Sequence, residues 1–178
     1  YATPRSWERD HHVRRYGFHG TSHRYITQKT AELLGKPQSD LNIISAHLGN
    51  GSSVAAVVGG KSVDTSMGFT PLPGLIMGTR TGDIDPAIIS YMMERLNVSA
   101  EAVLDLMNKK SGLLGISELT NDCRELTEAA NKGNASAQLA LDMFCYRLAK
   151  YIAEYMVPLQ RIDALVFTGG IGENSAII

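Results

Sequence analysis

The stretch "DALVFTGGIGENS", residues 163–175, decides how the rest of the chain is read. An apolar run from Ala164 to Phe167 breaks into Gly169, Gly170 and Gly172, then into Glu173, Asn174 and Ser175. Four consecutive apolar residues bounded by glycines read as a buried strand, followed by a helix start. Glycines at that junction remove the Cβ atoms that would hold a ligand away from the backbone. The stretch thus reads as a strand, a backbone that lets something come close, and a helix start, and together with the hairpin and helices elsewhere in the chain it describes an α/β layered domain.

Working outward, "LNIISAHL" (41–48) reads as a second buried strand, and "SVAAVVGGKSVDTS" as two short strands around a Gly59-Gly60 hairpin turn. A helix is expected from about 22 to 34, closed by Gly35 and Pro37. Asp85-Pro86 opens another, with Ile88, Ile89, Met92, Met93 and Leu96 on one face. Ser99 caps the next, whose face carries Val103, Leu106 and Met107. A long helix is expected over 136–156, with Leu141, Phe144, Cys145, Leu148, Ile152 and Tyr155 at helical spacing. Residues 1–18 are polar and basic, a surface lead-in. Residues 66–84, rich in Gly, Pro and Thr, are too long for an idle loop and are expected to be functional.

Composition narrows the classes. The chain has 178 residues, 44% hydrophobic and 20% charged, enough for a real core. A net charge of −1 gives no reason to expect nucleic acid or an anionic membrane as partner. No apolar run is long enough to span a bilayer, and no signal-peptide pattern opens the chain. Cys123 and Cys145 lack metal or redox spacing, so two reduced thiols and a cytoplasmic location are expected. The sequons at Asn97 and Asn134 are then chance matches. The start without Met and the stop at Ile178 lead us to expect a piece of a longer protein.

Two motifs are look-alikes. Gly60-Lys61-Ser62 has the tail of a phosphate-binding P-loop, but Ala55 stands where that motif needs glycine, and a hairpin turn is its simpler reading. Gly170-Ile171-Gly172 imitates a dinucleotide fingerprint without its third glycine or the acid downstream. Four glycine-bearing segments remain. "GFHGTSH" (17–23) sets His19 before a helix start, with a cap and a surface histidine as the plain reading of His19 and His23. "HLGNGSS" (47–53) puts Asn50, Gly51 and Ser52 in a tight turn, either a simple hairpin or an anion-binding nest. In "PLPGLIMGTRTGDIDP" (71–86), Arg80 suits a phosphate through its planar fork of donors, or forms a structural ion pair with Asp83 or Asp85. "TNDCRE" (120–125) offers Asp122 and Arg124 after a Gly-rich turn, a helix cap on its face value.

Together, "RRYGFHGTSH", "HLGNGSS", "DTSMGFTPLPGLIMGTRTGDIDP", "SGLLGISELTNDCRE" and "FTGGIGEN" resemble the acetate and propionate kinase family, nearly end to end and in family order. The resemblance implies an actin-like ATPase (ribonuclease H-like) fold, an α/β domain with a mixed sheet flanked by helices. It implies reversible transfer of the ATP γ-phosphoryl group to acetate or propionate, with ATP or ADP and Mg2+ as cofactors. It also implies a small carboxylate substrate and a homodimer.

Carried over by resemblance, His19 and Arg80 steady the transferring phosphoryl group. His47, Leu48, Gly49, Asn50 and Gly51 match a phosphate-contacting turn. Asp122, Cys123 and Arg124 match a nucleotide-contacting segment, and Gly170, Ile171, Gly172, Glu173 and Asn174 match the loop against the adenosine. Phe18 and Pro71 match the pocket for the carboxylate's alkyl end. The family's carboxylate-gripping Arg, an Asp near the reaction centre and a magnesium-holding Glu have no counterpart in the 178 residues, so no metal ligand is expected here. Residues 1–178 then correspond to most of the family's second, dimerising domain, an incomplete active site. Butyrate kinase is the neighbouring reading within the class, and a non-catalytic nucleotide-binding or assembly module of the same fold is the reading outside it.

Overall fold

The computed structural model describes residues 1–178. Four strands, β1 (Asn42–Leu48), β2 (Ser52–Val58), β3 (Lys61–Thr65) and β4 (Ala164–Thr168), form one sheet in the order β3-β2-β1-β4. β1 pairs antiparallel with β2 and parallel with β4, so the sheet is mixed. The two central strands are buried along most of their length, which is why they read as apolar runs without alternation. The Gly59-Gly60 turn joins β2 to β3 with both residues at positive φ, the conformation a two-residue hairpin needs. Lys61 and Ser62 thus begin a strand, not a P-loop helix.

Helices cover both faces. α1 (Arg5–His11) buries nothing, as expected of a surface lead-in, whereas α2 (Gly20–Leu34) packs over one face of the sheet. There Ala31, Leu41, Ile43, Ala55 and Val57 form a small core. The other face carries the main core, in which Ile44, Ala46 and Leu48 meet Leu113, Leu126, Leu141 and Phe144. These come from α5 (Gly112–Ser117), α6 (Cys123–Asn131) and α7 (Ala135–Glu154). Each fully buried Leu or Phe contributes about 1.5–3 kcal/mol relative to exposure. α7 stops at Glu154, with Tyr155 leading into the one-turn α8 (Met156–Leu159). Tyr155 and Leu148 are buried as expected; Cys145 and Ile152 are only partly so.

Three expectations need correction. β4 is only partly buried. It is the edge of the sheet: Ala164 and Val166 pack against the small core and Thr168 is buried, but Leu165 is 41% and Phe167 39% exposed. The Gly-rich stretch before "TNDCRE" is α5, a helix whose Leu113 is drawn into the core beside α7, and tertiary burial here overrides glycine's poor propensity. Finally, no residue of α3 (Ala87–Leu96) is fully buried: Ile89, Met92 and Met93 are half-buried and Ile88 and Leu96 exposed, and Leu106 of α4 (Ala100–Lys109) is 43% exposed while Val103 and Met107 are buried. Asp85 does serve as cap, its carboxylate accepting from the Ala87 amide at 2.9 Å.

Candidate functional site

The site forms where β1 ends. β1 and β4 run parallel, so both carboxyl ends open on the same side, the place where α/β sheets bind ligands. The turn Gly49–Gly51 follows β1 there, and α9 (Gly169–Asn174) follows β4. Between them lies a cleft of about 1090 Å³. It is walled by Gly49, Asn50, Asp122, Arg124, Gly170 and Asn174.

On the α2 side, side-chain alternation along β1 puts Ile43, Ser45 and His47 on one face, opposite Val57, Ala55 and Ser53 of β2. The face is apolar at Ile43 and turns polar toward the end of the strand. α2 lays its own polar residues against that end. Ser22 Oγ lies 2.9 Å from His47 Nδ1, His23 Nδ1 is 2.9 Å from Ser45 Oγ, and His23 Nε2 is 2.8 Å from Ser53 Oγ. His19 Nδ1 reaches the same Ser53 hydroxyl at 2.9 Å, and its ring stacks on His47 with centroids 4.1 Å apart. His23 is therefore a buried network residue, not a surface histidine. His19 takes the N-cap position of α2 with φ +58, yet its side chain does not cap the helix. It turns to the sheet instead.

Burial, with His47 and Arg80 nearby, lowers the pKa of His19 to about 4. Burial, with His19 and His47 nearby, lowers that of His23 to about 4. Burial also lowers that of His47, against the pull of Glu173. The cluster is neutral at pH 7. Because the unfolded chain protonates its histidines near 6.5, unfolding takes up protons between about pH 6.5 and 4. Stability is thus complete above pH 6.5 on this account and falls as pH drops toward 4. Replacing His23 by non-titrating Asn is expected to narrow the stability gap to wild type as pH falls through that window. Urea unfolding at several pH values checks this; a gap independent of pH would show that His23 titrates alike in both states.

Arg80 comes from the long loop between β3 and α3. Neither Asp83 nor Asp85 pairs with it. Asp83 is occupied elsewhere: its carboxylate accepts from the Gly74 amide at 2.8 Å and from the Tyr151 hydroxyl, and Arg147 Nη1 donates to Gly74 O at 3.1 Å. These bonds fasten the neck of the loop to α7. The Arg80 guanidinium meets only weak acceptors, Pro71 O at 3.4 Å and Met77 Sδ at 3.6 Å. It converges with His19 on Gly51, where a Cβ would lie 3.3 Å from Arg80 Nη1 and 3.5 Å from His19 Nε2. The amides of Asn50 and Gly51 donate to no protein acceptor, whereas that of Gly49 is used within the turn. A guanidinium with no carboxylate partner and the free Nε2 of an imidazole meet at Gly51, beside two amides that have no protein acceptor, a set of groups suited to an anion.

A match to the acetokinase family model extends over residues 1–178. The chain belongs to the acetokinase family. It is 64% identical to the acetate kinase of Shewanella loihica over its whole length and 45% of that protein. Among solved structures, Porphyromonas gingivalis acetate kinase superposes with a TM-score of 0.95 at 48% identity, over 98% of this chain and 44% of that one. A propionate kinase from Francisella tularensis subsp. tularensis gives the same TM-score at 51% identity, over 99% and 45%. The fold is thus the actin-like ATPase fold of those kinases. This acetokinase-family chain spans about half the length of the curated relatives it matches.

Within this family member the expected residues separate into groups. Cys123 and Ile171 also line the cleft, with Cys123 otherwise buried. Asp122 both caps α6, accepting from the Arg124 amide at 2.9 Å, and pairs with the Arg124 side chain, which holds its carboxyl down at about 2. The cap reading and a place on the cleft wall hold together. Leu48 is fully buried in the core; its backbone lies against Gly169 and its Cβ near Gly172. His47 and Gly51 belong to the histidine cluster. Glu173 accepts from the Thr168 hydroxyl at 3.0 Å and, with Gly172, stays off the cleft wall. The glycines differ in what they serve. A Cβ on Gly169, at φ +80, would press on Leu48 O at 2.6 Å, while one on Gly170 would meet nothing and project into open space. Phe18 lines a second cavity of about 290 Å³ beside α2 with His23 and Arg24; Pro71 does not, and touches Arg80 through its carbonyl.

Sequence reading passed over Asn121, Thr127 and Asn131, which line the cleft, and Ser22, Ser45 and Ser53, which hold the histidines. Alternation along β1 marks Ser45 and His47 as sharing a face. Ser53 needed the register of β2.

Proposed function

We propose that the protein containing this chain transfers the γ-phosphoryl group of ATP reversibly to a short-chain carboxylate, acetate or propionate. The products are an acyl phosphate and ADP. The observation that carries this reading is the Arg80 guanidinium, free of any carboxylate and converging with His19 on the turn that also walls the cleft. Phosphoryl transfer asks for positioning and charge stabilisation rather than covalent help. In this reading the nucleotide lies in the large cleft, with the adenosine along Gly170 to Asn174 and Asp122 to Arg124, and the phosphates reach the Gly49–Gly51 turn. A carboxylate oxygen attacks the γ-phosphorus while the bond to ADP breaks. Arg80 donates two parallel hydrogen bonds to the equatorial oxygens, and His19 donates one without adding charge. Pro71, whose carbonyl accepts from Arg80, borders the alkyl end of the acid, while Phe18 lines the separate cavity beside α2.

No three His, Cys, Asp or Glu side chains come together here as a ready-made ligand set, and Mg2+ in kinases is held mainly by the nucleotide's phosphates, waters and one or two carboxylates. Its ligands, and the groups that grip the carboxylate, are assigned to the remainder of the protein. Residues 1–178 are then most of the second domain. The uncovered apolar residues of α3, among them Ile88, Tyr91 and Leu96, support a second copy packing on that face. No helix is long and apolar enough to cross a membrane, and the reading places the enzyme in the cytoplasm.

The test is a full-length assay with ATP and acetate, propionate or butyrate, trapping acyl phosphate as its hydroxamate. Hydroxamate from acetate or propionate is expected; ATP binding with no acyl phosphate would instead support the non-catalytic module. Substitution at Gly170 probes the nucleotide side. Gly170→Val places a branched side chain where only open space lies, so the KM for ATP is expected to rise while that for acetate changes little. An unchanged KM for ATP would remove Gly170 from the adenosine wall.

A further inference from the structure

Of the buried polar groups around the candidate site, Ser53 has a role that the phosphoryl-transfer reading leaves unused. Its side chain is fully enclosed, and its one hydroxyl faces two imidazoles, His19 Nδ1 at 2.9 Å and His23 Nε2 at 2.8 Å. The far nitrogen of His23 faces a second enclosed hydroxyl, Ser45 Oγ, at 2.9 Å. A hydroxyl carries one proton, so with both rings neutral Ser53 donates to one and accepts from the other. Only two polarities satisfy every member. In one, His19 carries its proton on Nδ1 and presents a bare Nε2 lone pair to the site. In the other, Ser45 donates to His23 Nδ1, His23 Nε2–H donates to Ser53, and Ser53 donates to His19 Nδ1. His19 is then left with Nε2–H pointing to the corner it shares with Arg80 and Gly51. An anion at that corner, held by Arg80, accepts from the second arrangement and repels the first.

We infer that Ser53 is a positioning residue: through the Ser45–His23–Ser53 chain it holds His19 in the neutral Nε2–H tautomer, aimed as a donor at the anion Arg80 binds. This rests on the reading of His19 as a phosphoryl donor. The groups facing His19 are His23 from α2, His47 from β1 and Arg80 from the loop; burial and the fixed charge of Arg80 disfavour a second charge there. A tautomer set by a hydrogen bond supplies the donor without that charge.

Two measurements on the full-length enzyme test it. Long-range nitrogen–proton NMR of the 15N-histidine-labelled wild type, with ADP and inorganic phosphate, is expected to show His19 and His23 both as Nε2–H tautomers. An Nδ1–H signature at His19 would overturn the inference whether or not any variant folds. The second is a double-mutant cycle. Outer partners that fix a functional histidine's tautomer are worth about 10–100-fold in metal sites, and Ser53→Ala is expected to lower kcat by a like factor with the KM for ATP little changed. In a His19→Ala background the same change is expected to have no further effect, because Ser53 acts only through His19. Equal losses in both backgrounds would assign Ser53 to packing and overturn the inference while leaving the kinase reading intact. Near-normal kcat in His19→Ala alone would instead overturn the donor role of His19, and the inference with it.

Discussion

Arg80→Ala is expected to lower kcat of the full-length enzyme by about 10³–10⁵, the worth of an arginine placed on a transferring phosphoryl group. The KM values for ATP and for the carboxylate are expected to change far less, because the guanidinium acts mainly on charge that develops in the transition state. The geometry makes the test sharp. Asp83 and Asp85, the two carboxylates that could have made Arg80 a structural residue, are taken by Gly74, Tyr151 and the cap of α3. Removing Arg80 therefore breaks no ion pair, and the melting temperature is expected to stay close to wild type. Arg80→Lys keeps the charge and loses the two-pronged fork, so it is expected to be nearly as impaired as Ala. A lysine variant with near-normal turnover would mean that position 80 supplies only positive potential.

The second large effect is expected at Gly112, far in sequence from Arg80 and pressed against it in space. Gly112 sits at φ +61, and a Cβ there would run into Met77 O and lie 2.8 and 2.9 Å from Arg80 O and N. The backbone at 112 forms one wall of the arginine loop: Leu113 N donates to Met77 O at 2.9 Å and Ser111 N to Thr79 O at 3.0 Å. Gly112→Ala carries about 1–3 kcal/mol of conformational strain and, in addition, must push the loop that aims Arg80. Lower melting temperature and a large loss of kcat are expected together. Gly133→Ala is the control, at φ +88 with no atom within 4 Å of its Cβ. It bears the conformational cost alone and is expected to keep full kcat. If the two variants lose the same stability and both keep kcat, close packing at 112 has no part in placing Arg80.

Much of this was legible one-dimensionally. Mainly apolar stretches within 42–48 and 52–58 and the Gly-Gly turn identify the central strands, because strands covered on both faces carry few polar residues, here Asn42, Ser45, His47, Ser52 and Ser53. Asp85, Ser99 and Gly35 mark helix ends because capping is a contact between neighbours in sequence. Family motifs name His19 and Arg80 for the same reason: each lies in a short segment recognisable by itself. Errors gathered where the answer depended on a distant partner. β4 looks buried from its own residues, but strand burial is set by what lies over the sheet, and Leu165 and Phe167 at the edge are covered only in part. The face of α3 looks like core and is likewise only half covered.

Sequence by itself determined the α/β class, the glycine turns at the strand ends, and which residue types were available for phosphate chemistry. Tertiary structure decided their assignments. Whether Arg80 pairs with a carboxylate or stays free of one depended on Tyr151 and Gly74 claiming Asp83, contacts 68 and 9 residues apart. Whether His23 is a surface residue or a buried link depended on the register that sets Ser53 opposite His47. Local sequence encodes propensity, caps and periodicity. The partner that a hydroxyl or guanidinium finally faces is fixed only when strands pair and helices dock, because hydrogen bonds form at about 3 Å whatever the separation along the chain.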